Sequence, residues 1–193
     1  MTDRAPDPRS ARTVASLRDA LRGSLRDRTL DEVNITELCR IADVRRTTFY
    51  THYSSVAELL TEMLTAEIDE ILSVPDFTDL SIERTRLDFH QGVIAAFAAV
   101  ADDRRLFRVG FDSKDSALLR RSLLAMWATR LQQSLAVWHE RGVALDVDPA
   151  VATPFVAGGL AASIEAWALS DETDAERWAD ALRDQMPPWW PRS

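Results

Sequence analysis

Apolar residues recur three and four positions apart along most of the chain, and this period constrains the fold more than any other feature. Near the start, Val14, Leu17, Leu21 and Leu25 follow the spacing, which places them on one face of an α-helix. The sequence contains neither the alternating Val-, Ile- and Thr-rich runs of strands nor Asn-Gly and Asp-Gly hairpin turns. We therefore expect an all-α protein.

Capping and breaking residues divide this pattern into helices. The expected helix-end residues are Asn34, either Ser54 or Ser55, and Asp148 at N-termini, and Gly142 beyond a C-terminus. Pro154 is expected either to kink its helix or to mark its true start. The predicted helices cover residues 10–27, 35–42, 45–51, 55–72, 82–101, 104–111, 116–141, 149–169 and 175–186, after a disordered tail at 1–9.

Charge is distributed unevenly along the chain. The net charge is −8, but residues 1–56 contain ten arginines and eight acidic residues, so the first part of the chain is slightly basic. An acidic protein with a basic end is not a general polyanion binder, although that end can bind one. The polar N-terminus predicts no signal peptide, and no apolar run approaches the length of a membrane span. With the single residue Cys39, these features predict a cytoplasmic protein.

Two short helices, predicted at residues 35–42 and 45–51 and joined by about three residues, are typical of a helix-turn-helix. The second begins with Arg45, Arg46, Thr47 and Thr48. Arginine can reach guanine O6 and N7 in the major groove, and hydroxyl groups can donate to phosphate oxygens. Leu38 and Phe49 are expected to face inward and to hold the two helices together. This pattern favours double-stranded DNA as the partner.

The stretch ITELCRIADVRRTTFYTHYSSVAELL, residues 35–60, resembles the DNA-binding signature of the tetracycline-repressor (TetR) family of bacterial transcription regulators. In that family, Ile-Thr begins a short helix, Ala-Gly-Val forms the turn, and Ser/Asn-Arg-x-Thr-Phe-Tyr-x-His-Phe/Tyr follows. The resemblance covers about residues 10–65 and is most specific at 36–53. It implies a helix-turn-helix domain, joined by a fourth helix to a helical domain that binds an effector and dimerises.

The resemblance also implies roles for matching residues. Arg46 and Thr47 would read bases, while Thr36, Thr48, Tyr50 and His52 would contact phosphates. Phe49 would anchor the helix, and Tyr53 would either pack or touch the DNA backbone before helix 4. The expected DNA-binding residues are therefore Thr36, Arg45, Arg46, Thr47, Thr48, Tyr50, His52 and Tyr53.

Three positions depart from the family pattern. The usual turn glycine is Asp43, which tolerates the left-handed conformation less well than glycine. The usual capping residue is Arg45, which cannot cap, so either Asp43 caps the recognition helix or that helix frays without DNA. A lysine that often grips phosphate is replaced by Val56. The N-terminal arginines that could compensate are Arg4, Arg9 and Arg12.

The remaining helices predict an effector site and a dimer. His90, Phe97, Trp127 and Trp167 are candidate ligand-binding residues for an unknown small apolar effector. His90 is favoured as a satisfied core histidine, with a pocket donor as the alternative, and the tryptophans are favoured as core. Reading a palindromic operator requires a two-fold axis. A homodimer is expected through helices 149–169 and 175–186, whose apolar residues are Phe155, Leu160, Ile164, Trp167, Trp178 and Leu182.

These expectations give a domain plan with a tail at 1–9, a DNA-binding domain at 10–56 and an effector-binding and dimerisation domain at 57–193. No catalytic motif is present, and the three histidines lie in different helices, so we expect neither an enzyme nor a metal or cofactor site. The favoured function is a ligand-responsive repressor. A co-regulator of the same fold without specific DNA binding, and an unrelated helical ligand-binding protein, are the alternatives.

Overall fold

The computed structural model describes residues 8–72 and 82–190 of the 193-residue chain. Within these ranges the structure is all-helical, which confirms the predicted fold class. The elements are α1 (Pro8–Ser24), a 3₁₀ turn (Leu30–Glu32), α2 (Ile35–Ile41), α3 (Arg46–His52), α4 (Val56–Ile71), α5 (Ile82–Asp102), α6 (Arg104–Asp112), α7 (Ser116–Glu140), α8 (Pro149–Leu169) and α9 (Ala175–Asp184).

The helix ends differ from the predicted ones at a few places. α1 begins at Pro8 rather than at residue 10, because proline is well suited to the first turn, where a backbone N–H has no helical partner. The rest of the predicted tail, residues 1–7, lies outside the described residues. α8 begins at Pro149 and continues through Pro154, so the proposed later start is wrong. α9 ends at Asp184, two residues early.

The 3₁₀ turn is an element that the sequence reading missed. The Glu32 carboxylate accepts hydrogen bonds from the backbone N–H and hydroxyl of Thr29 at 2.8 and 3.0 Å. This pairing satisfies the first turn of an element only three residues long. The turn carries the chain from α1 to α2, and Leu30 within it is buried.

Predicted caps satisfy the first turns of α2 and α4. The Asn34 side chain accepts from the Thr36 N–H at 2.7 Å, and the Ser55 hydroxyl accepts from the Glu58 N–H at 3.1 Å. Leu38 and Phe49 are fully buried, as expected. Cys39 is also buried, and burial raises the pKa of its thiol, so it behaves as a small hydrophobe.

α4 and α8 form the centre of the larger helical body. α4 packs against α1 on one side and against α5, α6 and α7 on the other. α7 and α8 have the most extensive contact of any helix pair described. The buried residues of these two helices include Leu123, Trp127, Leu131, Leu135, Val156, Leu160, Ile164 and Trp167.

α8 alone among the described helices is long and apolar enough to cross a membrane, judged by length and composition only. The expectation that no segment approaches that length therefore needs correction. In the structure, one face of α8 is buried against α7 and α5. The helix is thus a core element of the helical body, and its apolar composition follows from that position.

Arginines of α6 connect the C-terminal ends of two other helices. Arg104 donates to the carbonyls of Trp167 and Ser170, and Arg108 donates to the carbonyl of Ala168 at 2.9 Å, all at the end of α8. Arg105 donates to the carbonyl of Leu25, just beyond α1, at 3.1 Å. The last carbonyls of a helix have no partner within it, and cationic donors satisfy them.

Two helical glycines give a matched test of this packing. A Cβ at Gly110 of α6 would lie 2.8 Å from Leu119 Cδ2 and 3.2 Å from Leu64 Cδ1, whereas a Cβ at Gly23 would meet nothing within 4 Å. We expect Gly110→Ala to lower the free energy of unfolding by about 1–2 kcal/mol through overpacking. Gly23→Ala should raise it by about 0.5 kcal/mol through helix propensity. Urea unfolding measures both, and equal midpoints for the two variants would contradict the close approach of α4, α6 and α7.

Candidate nucleic-acid interface

The turn between α2 and α3 depends on an aspartate in an unusual backbone conformation. Asp43 has φ of 53°, the left-handed region that glycine adopts most easily. The Val44 N–H donates to the carbonyl of Cys39 at 2.9 Å and so ends α2. Asp43 therefore holds this conformation at a cost in backbone energy.

α3 begins without a side-chain cap. Arg45 occupies the N-cap position with an extended backbone, and no side chain bonds to the first turn of the helix. The proposed cap by Asp43 is therefore wrong. The helix is held instead by Phe49, which is fully buried and contacts the rings of Tyr50 and Tyr53. One aromatic anchor thus fixes a seven-residue helix against the domain core.

The anchoring of Phe49 turns the opposite face of α3 toward solvent. Arg45, Arg46, Thr47 and Tyr50 are exposed, and Thr48 and His52 are partly buried. Arg46 lies over the Tyr50 ring, 5.6 Å from its centroid, and its Nη2 donates to the Tyr50 hydroxyl at 3.3 Å. Four of the residues predicted to contact DNA are therefore accessible to solvent, and the guanidinium of Arg46 is held against the Tyr50 ring.

Thr36 is the second residue of α2 and is also exposed. Its side chain lies at the first turn of that helix, where Asn34 already accepts the Thr36 backbone N–H. Nearby, Arg28 pairs with Glu37 at 2.8 Å and braces the same helix from the preceding loop. Sequence reasoning missed this ion pair.

Tyr53 does not share the exposed surface. It is 6% exposed, and its hydroxyl donates to Glu62 Oε2 at 3.1 Å. Arg18 Nη2 reaches Glu62 Oε1 at 2.6 Å. Burial, with the Glu62 carboxylate next in importance, raises the pKa of Tyr53 to about 12. Of the two roles considered for Tyr53, packing is therefore favoured over DNA contact.

Sequence reasoning missed the part that Arg18 and Glu62 play. Together with Tyr53, they tie α1, the α3–α4 turn and α4 into one unit. Arg18 and Glu62 lie 44 positions apart, so no local spacing links them. A half-exposed arginine on an amphipathic helix carries no sequence signal for such a partner.

The four candidate effector residues have different neighbours in the structure. Phe97 and Trp167 are packed together in the core, and the Trp167 indole donates to the carbonyl of Phe97 at 2.7 Å. Trp127 lies against Phe89. His90 Nε2 lies 3.2 Å from Asp180 Oδ1 of α9, with the side chain 20% exposed, so it is not a core residue. The expectation of one pocket with His90 as its polar group therefore needs correction.

Two open grooves lie elsewhere. One, of about 710 Å³, runs between α4 and α7 and is lined by Glu62, Thr65, Met126 and Arg130 among others. The other, of about 370 Å³, lies where α1 meets α4 and α6. None of the four candidate effector residues lines either groove. Among the described residues, no group of histidine, cysteine and carboxylate side chains could hold a metal ion.

Solved structures resemble this chain over nearly its whole length. The fatty acid degradation regulator FadR from Bacillus halodurans superimposes with a TM-score of 0.62 at 12% identity, over 94% of this chain and 95% of its own. The dihydroxyacetone kinase operon activator DhaS gives 0.61 at 13% identity, over 89% and 92%. NalD of Pseudomonas aeruginosa, the secondary repressor of the MexAB-OprM multidrug efflux pump, gives 0.58 at 18% identity, over 95% and 100%.

The chain has the TetR-like fold. No protein-family model matches the sequence, and no curated protein does. At identities below 20%, the superpositions establish the TetR-like fold alone. The sequence resemblance at residues 36–53 had indicated the same fold from the helix-turn-helix, which the structure contains as α2 and α3.

Tyr53 can be followed directly, because the chain has only two tyrosines. In a Tyr50→Phe variant, we expect the remaining tyrosine to ionise with a pKa of about 12. Burial favours the neutral phenol over the phenolate. The contribution of Tyr53 to the free energy of unfolding is therefore complete below about pH 10, the pKa of tyrosine in the unfolded chain, and is lost as the pH rises toward 12. Absorbance at the tyrosinate band measures the titration. A folded-state pKa equal to that of the urea-unfolded variant would contradict the buried position.

Proposed function

We propose that this chain is a dimeric DNA-binding transcriptional regulator of the cytoplasm, and that it represses through a palindromic operator in response to a small ligand. The observation that carries the proposal is α3: a short helix anchored by buried Phe49, with Arg45, Arg46, Thr47 and Tyr50 on its outer face. The described neighbours are regulators rather than enzymes, which supports a non-enzymatic role. The proposed boundary between the DNA-binding domain and the effector domain lies near residue 56.

The proposed DNA contacts follow from exposure. Arg46 and Thr47 would read bases, and Arg45 would lie beside them at the helix start. Thr36, Thr48, Tyr50 and His52 would contact phosphates, whereas buried Tyr53 is left out. Of the arginines suggested to compensate for Val56, Arg9 and Arg12 lie exposed at the start of α1, and Arg4 lies outside the described residues.

The proposed dimer interface is the outer face of α8. Leu160, Ile164 and Trp167, which the sequence reading assigned to the interface, are buried in the core of the monomer, and Trp178 and Leu182 of α9 are packed against it. The outward residues of α8 form an apolar stripe: Val151, Phe155, Gly159, Ala162, Ala166 and Leu169. Phe155 is 70% exposed. Small residues along the middle of the stripe allow close contact with a second α8.

Ligand response is the second part of the proposal. The support is a buried donor: the indole N–H of Trp127 has no hydrogen-bond partner in the part of the chain that the structure describes. Buried polar groups are normally paired, so this donor can accept a partner that the described residues do not supply. A co-regulator of the same fold that does not bind DNA is the alternative, and Val56 and the net charge of −8 favour it.

DNA binding through α3 is tested by selection from random duplexes at about 50 mM salt. We expect an enriched palindrome, and Arg46→Ala should weaken its binding by about 1–3 kcal/mol and relax one base preference. Tyr50→Phe should weaken binding to all sequences alike, if the hydroxyl contacts phosphate. Arg121→Ala, which removes an exposed arginine from α7, is the control and should change nothing. Failure to enrich any sequence would favour the co-regulator.

The dimer face is tested by Phe155→Glu. We expect the unmodified chain at micromolar concentration to have twice the chain mass of 21.7 kDa by light scattering. Phe155→Glu should reduce this to the chain mass, because it buries two uncompensated carboxylates at a two-fold axis. The control Ile41→Glu changes another exposed apolar residue, on α2, and should remain dimeric. A dimer that survives Phe155→Glu would exclude this face of α8.

A further inference from the structure

Two adjacent arginines at the start of α3 have different surroundings. Arg45 and Arg46 are both exposed. The Arg46 guanidinium lies 5.6 Å from the centroid of the Tyr50 ring, and its Nη2 donates to the Tyr50 hydroxyl at 3.3 Å. The Arg45 side chain has no hydrogen bond, ion pair or ring contact among the described residues. One guanidinium is therefore held in place, whereas its neighbour is not.

The ring that holds Arg46 is itself in contact with the core. Phe49 is fully buried, and the Tyr50 ring meets it edge-to-face, with 5.6 Å between the two centroids. Edge-to-face pairs are a favoured arrangement of aromatic rings. Arg46 and Tyr50 are four residues apart and therefore neighbours on the helix surface. The position of the Arg46 guanidinium thus follows from α3 itself and from the buried Phe49.

Contact with Tyr50 leaves Arg46 able to bind a base. A guanidinium has five N–H donors, and among the described residues only the Tyr50 hydroxyl accepts from Arg46. Bidentate recognition of guanine O6 and N7 needs two of the remaining donors in a fixed plane. Ordering a long side chain at an interface costs conformational entropy. Because Tyr50 already restricts the Arg46 guanidinium, less freedom remains to be lost when Arg46 binds a base.

We propose that Tyr50 is a positioning residue that makes Arg46, rather than Arg45, the arginine that determines base preference. The proposal rests on the DNA binding proposed above and adds a role for Tyr50 beyond a phosphate contact. Both roles are compatible, because a phenol oxygen can accept from Arg46 while its O–H donates to a phosphate.

The two roles of Tyr50 have different effects on affinity. Arg46 is ordered by two hydrogen bonds at the matched base pair and stays without them at a mismatched one, so positioning strengthens binding to the matched duplex only. A phosphate contact carries no sequence information and strengthens binding to both duplexes alike. The positioning role is therefore measured by the ratio of the two affinities.

The first measurement needs no DNA. In the isotope-labelled full chain, the Nε–Hε resonances of Arg45 and Arg46 are assigned by NMR through comparison with Arg45→Ala and Arg46→Ala. We expect the ring current of Tyr50 to shift the Arg46 resonance away from that of Arg45. Tyr50→Leu should abolish this shift, and Tyr50→Phe, which keeps the ring, should retain it.

The second measurement compares two duplexes. One is the palindrome recovered by selection, and the other differs from it at the base pair whose preference Arg46→Ala relaxes. We expect Arg46→Ala to lower the affinity ratio about tenfold. Tyr50→Leu should lower it about two- to fivefold, the size of an exposed cation–π contact. In a chain that already carries Arg46→Ala, Tyr50→Leu should change the ratio by less than about 1.5-fold.

Two further variants separate positioning from other effects. Tyr50→Phe should leave the affinity ratio unchanged while it weakens binding to both duplexes equally. Arg45→Ala is the matched control, because it removes an exposed guanidinium that contacts no ring among the described residues, and it too should weaken both complexes by the same factor. Damage to α3 by Tyr50→Leu would also weaken both complexes and so cannot imitate a change in the ratio.

Three results would overturn the proposal in a protein that binds its palindrome. The first is an Arg46 resonance that Tyr50→Leu leaves unchanged. The second is an affinity ratio that Tyr50→Leu either leaves unchanged or lowers equally with and without Arg46. The third is a ratio that Arg45→Ala lowers as far as Arg46→Ala does. If selection enriches no palindrome, the DNA binding proposed above fails and this proposal fails with it, so the two failures are distinguishable.

Discussion

The arrangement of the helices depends on cations placed at helix C-termini. Three arginines of α6 donate to backbone carbonyls at the ends of α8 and α1, with Arg104 also stacked 4.8 Å above the Trp167 ring. Each contact combines a charge-assisted hydrogen bond with the favourable interaction of a cation and the negative end of a helix dipole. A nine-residue helix thereby fixes the proposed DNA-binding part relative to the proposed dimer face.

How far the sequence predicted the structure depends on the range of each interaction. Caps such as Asn34 and Ser55 act over two or three residues, so their helices were predicted almost to the residue. The inward position of Phe49 followed from local periodicity. In contrast, the link from Arg18 to Glu62 spans 44 positions, and which face of α8 is outward depends on where α7 packs. The sequence therefore identified the apolar residues of α8 but not which of them remain exposed. It also could not show that His90 lies near the surface beside Asp180, whereas Trp127 and Trp167 are buried.

In the described part of the chain, few contacts connect the larger helical body to the helices around α3. α1 packs on α4, Arg105 of α6 binds the end of α1, and Lys114 after α6 pairs with Asp31 at 2.8 Å. Arg22 of α1 bridges Glu67 of α4 and Asp103 before α6. A change in the body therefore reaches α3 mainly by moving α4 or α6.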